Sequence, residues 1–586
     1  MSLLFKKLKA QEWLYVACCL VLVTLQVFLD LKLPDYMSRI TTLVQTPGSA
    51  LADVWAQGGK MLLCAFGSLV ASVIVGFFAA RLGAVFARRL RAEIYDKVEA
   101  FSMEEISRFS TASLITRSTN DITQIQMLVA IGLQVVIKAP IMAVWAICKI
   151  AGKNWQWSLA TGCAVFVLII IVVIMLIFAL PKFQIVQYQT DRLNAVTREN
   201  LTGVRVVRAY NSEAYQQKKF EKANDELTGT NLFVNRMMAV MQPGMQIIMN
   251  GLSLSIFWIG AYLINSAGAM DRLSIFSDMV VYSSYAMQVV ASFMMLVMIS
   301  IMLPRAMVSA DRVKEVLDTK PRILDGKLDC LPEGRGEVEF RHVSFRYPEA
   351  EEDVLHDISF KAAPGETVAF IGSTGSGKST VINLIPRFYD VTDGEILIDG
   401  VNIKDYPLET LHYKIGYIPQ KAVMFKGTVA SNIAFGDSGH GEPSPEEIGE
   451  AARISQGAEF IEKMEKGYDS HVAQGGTNLS GGQKQRLAIA RAVCRKPEMF
   501  IFDDSFSALD YKTDKALRAE LKANMKGVTV FIVAQRIGTI LDADQIVVLD
   551  EGKVAGIGRH AELMKSCEVY REIAYSQLSE EELANG

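Results

Sequence analysis

Cysteine is scarce in this chain, and it is never paired. Eight cysteines are spread over 586 residues and none stands in a CxxC arrangement, so neither a disulfide framework nor a thiolate metal site is implied. Cys18, Cys19, Cys64, Cys148 and Cys163 fall in apolar runs and read as small buried hydrophobes. An excess of one charge is missing too. The 60 Lys+Arg stand against 63 Asp+Glu, which leaves no electrostatic signature of a nucleic-acid partner. No small-residue cleavage site follows the basic cluster Lys6, Lys7 and Lys9, so the apolar run behind it reads as a first membrane span and not as a removable signal. No low-complexity tract or short repeat interrupts the chain.

Apolar residues, in contrast, make up 51% of the chain and crowd into its first half. At 586 residues the chain exceeds one ordinary domain. Six apolar segments lie roughly at 13–33, 58–81, 128–150, 156–180, 240–265 and 275–303. Each reaches the about 20 residues needed to cross a bilayer as a helix. The run VFVLIIIVVIMLIFA, Val165 to Ala179, holds no polar side chain, which argues against a large soluble helical core. Basic residues collect between the second and third segments (Arg81, Arg88, Arg89, Arg91) and between the fourth and fifth (Lys182, Arg192, Arg198, Arg205, Arg208). Both stretches, and with them both termini, are expected on the cytoplasmic side. The short connections near 152–156 and 266–273 are poor in basic residues and are expected to face outward.

After Pro304 the composition changes. The charged stretch SADRVKEVLDTKPRI leads into short β-rich runs such as GEVEFRHVSF, ETVAFIG, MFIFDD, VTVFIVA and QIVVLDEG, which alternate with helical patterns. The expected division is a six-helix membrane domain over 1–318, a linker over 319–335 and an α/β domain over 336–586.

The run ETVAFIGSTGSGKST carries the spacing GxxxxGKS in a strand–turn–helix setting. The turn Gly372, Ser373, Thr374, Gly375, Ser376, Gly377 lets backbone N–H groups curl around phosphates. Lys378 reaches their terminal oxygens, the Ser379 hydroxyl can ligate Mg2+, and Thr380 continues a helix whose N-terminus favours the anion. Asp503 closes the apolar strand Met499 to Phe502 and suits the magnesium shell as the second acidic element of such a site. These motifs point to ATP with Mg2+. In LSGGQKQR, Leu479 to Arg486, Ser480 and the Gly481–Gly482 backbone can donate to a phosphate at a helix start; an ordinary glycine turn has the same composition.

With these motifs in this order, the whole chain resembles an ATP-binding-cassette (ABC) exporter half-transporter, six spans followed by one P-loop ABC nucleotide-binding domain. The resemblance implies that Ser480, Gly481, Gly482 and Gln483 complete the ATP site of an opposing domain. It implies that Tyr347 in VSFRYP stacks on adenine, and that Gln420 in IGYIPQ touches Mg2+ and the membrane domain. Ser507, Ala508, Leu509 and Asp510 resemble the loop that crosses the dimer interface. Met103 to Asp121 and Glu199 to Glu213 resemble the cytoplasmic loops whose short helices dock on the cassettes.

The chain departs from that pattern in its hydrolytic residues. Asp504 stands where the family has a catalytic glutamate, one methylene shorter, and a general base depends on hydrogen-bond reach. Gln535, in FIVAQR, stands where the family has a switch histidine; the six histidines of the chain all lie elsewhere. Gln474 replaces a glutamate frequent before the signature. The combination resembles the degenerate-site subunit of a heterodimeric, multidrug-type pair. It implies a second, different half-transporter as partner and weak hydrolysis at the chain's own site. A homodimer with two slow sites is the alternative.

The cargo is less legible. Gln242, Gln246 and Asn250 share one helical face beside a row of Met237, Met241, Met245 and Met249, and Gln288, Met294, Met295, Met298 and Met302 follow in the last segment. Such residues suit either a cavity for a small amphipathic substrate or helix–helix packing. A lipid or peptide exporter, an importer on an exporter-like fold, and a regulatory ATP-binding membrane protein that does not pump are the rival readings. The expected location is the plasma (inner) membrane of a bacterium.

Overall fold

In a computed structural model of the protein, the apolar runs of the first half are helices far longer than a bilayer requires. The structure describes residues 9–46, 48–151, 154–268, 271–328, 336–348, 350–507, 509–524 and 526–577. In chain order the first helices are α1 (Ala10–Gln45), α2 (Leu51–Glu99), α3 (Met103–Phe109), α4 (Thr111–Thr116), α5 (Ile122–Ala151), α6 (Trp155–Thr202), α7 (Val204–Ala209), α8 (Glu213–Ser266) and α9 (Arg272–Asp318). Among the described residues, six helices are long and apolar enough to cross a membrane. Four of them, α2, α6, α8 and α9, run for 49, 48, 54 and 47 residues. At about 1.5 Å per residue each spans roughly 70–80 Å, more than twice a hydrocarbon core. The apolar segments read from the sequence stop where charge begins, but the helices do not. Arg, Lys and Glu are good helix formers once their heads reach water. Pro304, where the composition turns, lies inside α9 without ending it.

The chain divides into two compact units, residues 1–99 with 112–319, and residues 100–111 with 320–586. In the first unit α1 packs against α2, α5 and α9, while α6 pairs with α8. Cys19, Val23, Val27, Leu31, Tyr282, Tyr285 and Val290 build its core. Several charged groups between its helices are paired, as a low-dielectric interior favours, although the buried Gln156 and Gln288 side-chain oxygens have no hydrogen-bond partner among the described residues. Asp30 meets Lys138 at 3.2 Å and Asp35 meets Lys149 at 3.0 Å, joining α1 to α5, and the Tyr285 hydroxyl donates to Asp35 at 2.6 Å. Trp157 Nε1 donates to the Ile256 carbonyl and ties α6 to α8. Cys148 and Cys163 are exposed on helix surfaces, which corrects the reading of all five apolar-run cysteines as buried. An apolar helix surface facing lipid needs no protein cover. Gln242, Gln246 and Asn250 are likewise exposed, while Met245 is buried, so the amide row takes no part in packing within this chain.

In the second unit, β1 (Val338–Phe345), β2 (Leu355–Ala362), β4 (Asp393–Ile398) and β5 (Val401–Asn402) form an antiparallel sheet in the order β2-β1-β4-β5. A second sheet runs β12-β11-β3-β10-β9-β6, built from β3 (Thr367–Gly372), β6 (Ile415–Ile418), β9 (Met499–Asp503), β10 (Thr529–Val533), β11 (Gln545–Asp550) and β12 (Lys553–Gly558). β7 (Gly427–Thr428) and β8 (His471–Val472) pair separately. In the second sheet β11, β3, β10, β9 and β6 are parallel and buried on both faces, which is why MFIFD and TVAFIG read as unbroken apolar runs. The order puts the carboxyl ends of β3, β10 and β9 side by side, with Val533 opposite both Asp503 and Phe370. Crevices at such strand ends are where open α/β sheets bind ligands.

Helix α3 belongs to this unit. Glu105 is buried and accepts from the backbone N–H of Ser102 at 2.8 Å and of Arg322 at 3.0 Å, and Arg322 also reaches Glu104 at 2.9 Å. The following residues are pinned in turn. Gly326 and Leu328 donate to the carbonyls of Tyr406 and Asp405, and a Cβ on Gly326 would lie 2.2 Å from the Asp405 oxygen.

Candidate nucleotide site

The P-loop leaves the end of β3 and enters the helix α10 (Lys378–Leu384). Gly375 and Gly377 have φ of +88° and +94°, the left-handed region that side chains avoid. At Gly377 a Cβ would also meet Leu355 Cδ2 at 2.6 Å. Ser373, Thr374 and Gly375 lie exposed at the top of the loop, while Ser376 is buried beneath. Lys378 folds back across the loop and donates through Nζ to the carbonyls of Gly372 at 2.9 Å and Ser373 at 2.6 Å. Burial pushes its amine below the ordinary lysine range, against the pull of Asp504 and Asp503. A cation over a cradle of backbone N–H groups suits a polyphosphate.

Beside it, the Ser379 hydroxyl donates to Asp503 Oδ1 at 2.7 Å. Burial raises the Asp503 carboxyl above the usual range, opposed by that bond and reinforced by Asp504. A hydroxyl and a carboxylate so placed are hard oxygen donors, the ligand type Mg2+ prefers. These residues therefore fit the ion. Thr380, one residue on, bonds the Tyr347 hydroxyl at 3.1 Å. The Tyr347 ring stands edge-on to Phe345 and Tyr389, half-buried at the rim of this unit.

Past Asp503 the strand ends abruptly. Asp504 takes φ +47°, its N–H donates to Val533 and its carbonyl accepts from the Ser507 hydroxyl. Its carboxylate is 8% exposed as a residue and receives two side-chain amides, Gln535 Nε2 at 2.7 Å and Gln420 Nε2 at 3.4 Å, both on Oδ2. Burial raises its pKa, and the Gln420 and Ser507 bonds with the charges of Arg536 and Lys378 pull the other way. Three residues noticed in separate motifs, Gln420, Asp504 and Gln535, are thus one cluster beside Lys378 and Asp503.

The signature stretch sits apart from that cluster. Ser480 caps the helix α11 (Gly481–Cys494): its N–H donates to Gln483 Oε1 at 2.9 Å, and Gln483 N–H donates to Ser480 Oγ at 3.3 Å. That capping box commits the Gln483 side chain and leaves the Gly481 and Gly482 backbone at the helix start. A Cβ on Gly481 would meet nothing within 4 Å. Among the described residues, none of Ser480, Gly481, Gly482 and Gln483 bonds to Lys378, Asp503, Asp504 or Gln535. Asp510 caps the helix α12 (Tyr511–Asn524) by accepting from Thr513 N–H at 3.0 Å, which holds its carboxyl below the usual range. Ser507 is exposed and Leu509 buried; Ala508 lies outside the described residues.

One participant had no signal in the sequence. Gln577 ends the helix α13 (Glu568–Gln577) and bonds the backbone on both sides of Arg536. It lines, with Asp504, Ser507, Gln535 and Arg536, a cavity of about 500 Å³. A glutamine that recognises main chain across the fold belongs to no spacing pattern.

The ABC transporter family pattern matches residues 355–507, and the ABC transporter transmembrane region matches residues 16–293. An uncharacterized ABC transporter ATP-binding protein of Mycobacterium bovis is 38% identical over 521 residues, covering 89% of this chain and 87% of its own length. The chain belongs to the ABC transporter family. This ABC transporter is also 36% identical over 536 residues to the uncharacterized ABC transporter ATP-binding protein YfiB of Bacillus subtilis, covering 91% of each. It is 33% identical over 515 residues to the ATP-dependent lipid A-core flippase of Pseudomonas aeruginosa, covering 87% of this chain and 83% of that one. Its fold matches that of a bacterial Atm1-family ABC exporter with ATP bound, at a TM-score of 0.81 and 25% identity over 97% of this chain and 98% of the other. The protein is thus an ABC exporter half-transporter, whose ATP-binding domain implies ATP hydrolysis coupled to transport.

Proposed function

We propose that this chain is the degenerate-site half of a heterodimeric ABC exporter that moves small amphipathic molecules out across a bacterial plasma membrane. Residues 1–318 are its membrane domain and 336–586 its cytoplasmic nucleotide-binding domain. ATP binds the loop Gly372 to Thr380 with Tyr347 at the base. Ser379, Asp503 and Gln420 would hold Mg2+, which neutralises phosphate charge when bound.

The observation that carries the reading is the state of Asp504. Its carboxylate is short, buried and engaged by the amides of Gln535 and Gln420. A base needs a lone pair within reach of water; a stem one methylene shorter than that of glutamate reduces this reach, two amides already occupy one of the two carboxylate oxygens, and Gln535 cannot carry the positive charge that a histidine can. The chain's own site is therefore suited to hold nucleotide and slow to hydrolyse it. Ser480, Gly481, Gly482, Gln483 and Asp510 face the other way in function: they complete the fast site of a partner that has its own glutamate and histidine.

The membrane half supports a partner as well. No residue of α7 is buried, and its Val206 and the adjoining Tyr210 are 60% and 77% exposed, an apolar tip suited to docking on a cassette. The exposed row Gln242, Gln246 and Asn250 suits a polar path shared between two halves. Methionines beside it suit a surface that adapts to varied apolar cargo. A lipid is one such cargo, in keeping with the similarity to the lipid A-core flippase.

The test is to purify the chain from its native membrane and identify what co-purifies in equal amount. A different half-transporter, with a glutamate directly after its counterpart of Asp503 and a histidine at the counterpart of Gln535, is the expected result. Recovery of this chain alone, as a homodimer, would overturn the asymmetric reading.

A further inference from the structure

The strand β10 ends at Val533, and the chain that follows leaves the sheet. Ala534 still donates to Phe370 at 3.2 Å, but past it the backbone has no strand neighbour. Gln577 takes over there. Its Nε2 donates to the Gln535 carbonyl at 2.9 Å, and its Oε1 accepts from Ile537 N–H at 2.9 Å. One side-chain amide thus satisfies two backbone groups and fixes the turn that carries Gln535 and Arg536.

The clasp stands on a firm base. Tyr570 and Ala574, on the buried face of α13, are fully enclosed, and the Tyr570 hydroxyl bonds His560 at 2.7 Å. On the far side of the turn, Arg518 donates to the carbonyls of Gly538 at 3.2 Å and Thr539 at 3.3 Å. The switch segment is therefore gripped from two helices, and from it the Gln535 amide reaches Asp504.

We propose that Gln577 is a positioning residue for the ATP site: by holding the Gln535–Ile537 turn, it sets the distance from Gln535 to Asp504 and so the lifetime of nucleotide at this chain's own site. This rests on the reading of Asp504 and Gln535 as that site's hydrolytic positions. Gln577 bonds the backbone of Gln535 and Ile537 and not Asp504, and it acts on that carboxylate through the Gln535 side chain. A polar side chain that merely finished a helix would stabilise α13 and leave the site alone.

The experiment uses the complex as purified from its membrane. The site is loaded with radiolabelled 8-azido-ATP and Mg2+ and photo-crosslinked after increasing delays, and label on this chain is read on a gel. Four forms are compared: wild type, Gln577→Ala, Gln535→Ala and the double variant. Gln577→Ala is expected to shorten the lifetime of bound nucleotide about tenfold, the scale of one or two lost hydrogen bonds. In the Gln535→Ala background the same change is expected to add nothing, because the two act in series. Equal effects of Gln577→Ala in both backgrounds, or none in either, would overturn the proposal. Gln577 is exposed at a helix end, so the variant keeps the fold, and a melting curve checks this. A short wild-type lifetime would instead overturn the slow-site reading, while the cycle would still report whether Gln577 acts through Gln535.

Discussion

Gln535 donates its side-chain amide to Asp504 at 2.7 Å, and that bond joins the two positions on which the proposed slow site rests. The two therefore form one local arrangement: a short acid and the amide that occupies it. Changing both together, Asp504→Glu with Gln535→His, lengthens the carboxylate by a methylene and frees it. In a complex whose partner glutamate has been removed, ATP turnover at this site is expected to rise on the order of 10²-fold, the scale of a 1 Å correction in reach. Phosphate release under those conditions measures it, and an unchanged rate would count against the arrangement.

Gly481 offers a cleaner separation of binding from hydrolysis. Open space surrounds its Cβ position, so Gly481→Asp fits sterically, and an acidic residue in the first turn suits the helix dipole of α11. The new carboxylate nevertheless blocks and repels a phosphate at that helix start. The expected outcome is a fully folded complex that has lost roughly 10²-fold in ATPase rate, the scale of a missing oxyanion donor. Nucleotide binding at this chain's own P-loop is expected to be unchanged. Normal ATPase in this variant would sink the trans-acting role of Ser480 to Gln483.

How far the sequence carries depends on the kind of contact. The P-loop, Asp503 and the signature were legible because backbone geometry imposes their spacing: glycines at Gly375 and Gly377, a hydroxyl after Lys378, an acid at a strand end. The sheet was legible for the same reason, since strands buried on both faces must be apolar throughout. The long helices were only half legible. A hydropathy pattern marks where lipid ends, not where α2 or α8 ends, because solvated charge is compatible with helix. Pro304 marks the change of composition but not a helix end, since neighbouring helices can absorb one lost backbone bond. The ion pairs Asp30–Lys138 and Asp35–Lys149, the Glu105 joint and the Gln577 clasp were not legible. They link residues distant in sequence, and no local rule couples them.

Glu105 is the buried acceptor at the joint between α3 and the segment after α9. Burial pushes its carboxyl up, but the donors on Ser102 and Arg322 outweigh burial and hold it below the usual glutamate range. Its contribution is therefore complete above the ordinary glutamate pKa and is lost as pH falls through the lowered one. Glu105→Ala leaves the Ser102 and Arg322 N–H groups without their acceptor, a cost of about 1–3 kcal/mol. The joint is expected to open locally while the sheets stay intact. Amide exchange by mass spectrometry should show faster exchange over 102–109 and 322–328 alone. Protection equal to wild type there would mean that Glu105 does not hold the joint.

Asp503 separates stability from function by the sign of its pH dependence. Burial raises its carboxyl, so the folded protein without nucleotide binds this proton more readily than the unfolded chain does. Stability of that form therefore falls as pH rises from the ordinary aspartate pKa through the raised one, and the penalty is fully present at neutral pH. Magnesium binding has the opposite sign, because only the ionised carboxylate is a ligand: affinity falls as pH drops through the raised pKa. Asp503→Asn keeps an oxygen for the Ser379 hydroxyl, which now donates to Asp503 at 2.7 Å, and removes the buried charge. Without nucleotide the variant is expected to melt at or above the wild-type temperature at neutral pH. With Mg2+ and ATP at about 100 times Kd, the wild type should gain about 2.7 kcal/mol of stability and the variant little of it. Melting curves with and without Mg2+–ATP, taken across the acidic range, decide the matter. If the variant is destabilised without nucleotide yet retains the full gain on Mg2+–ATP, Asp503 is a structural residue and not a magnesium ligand.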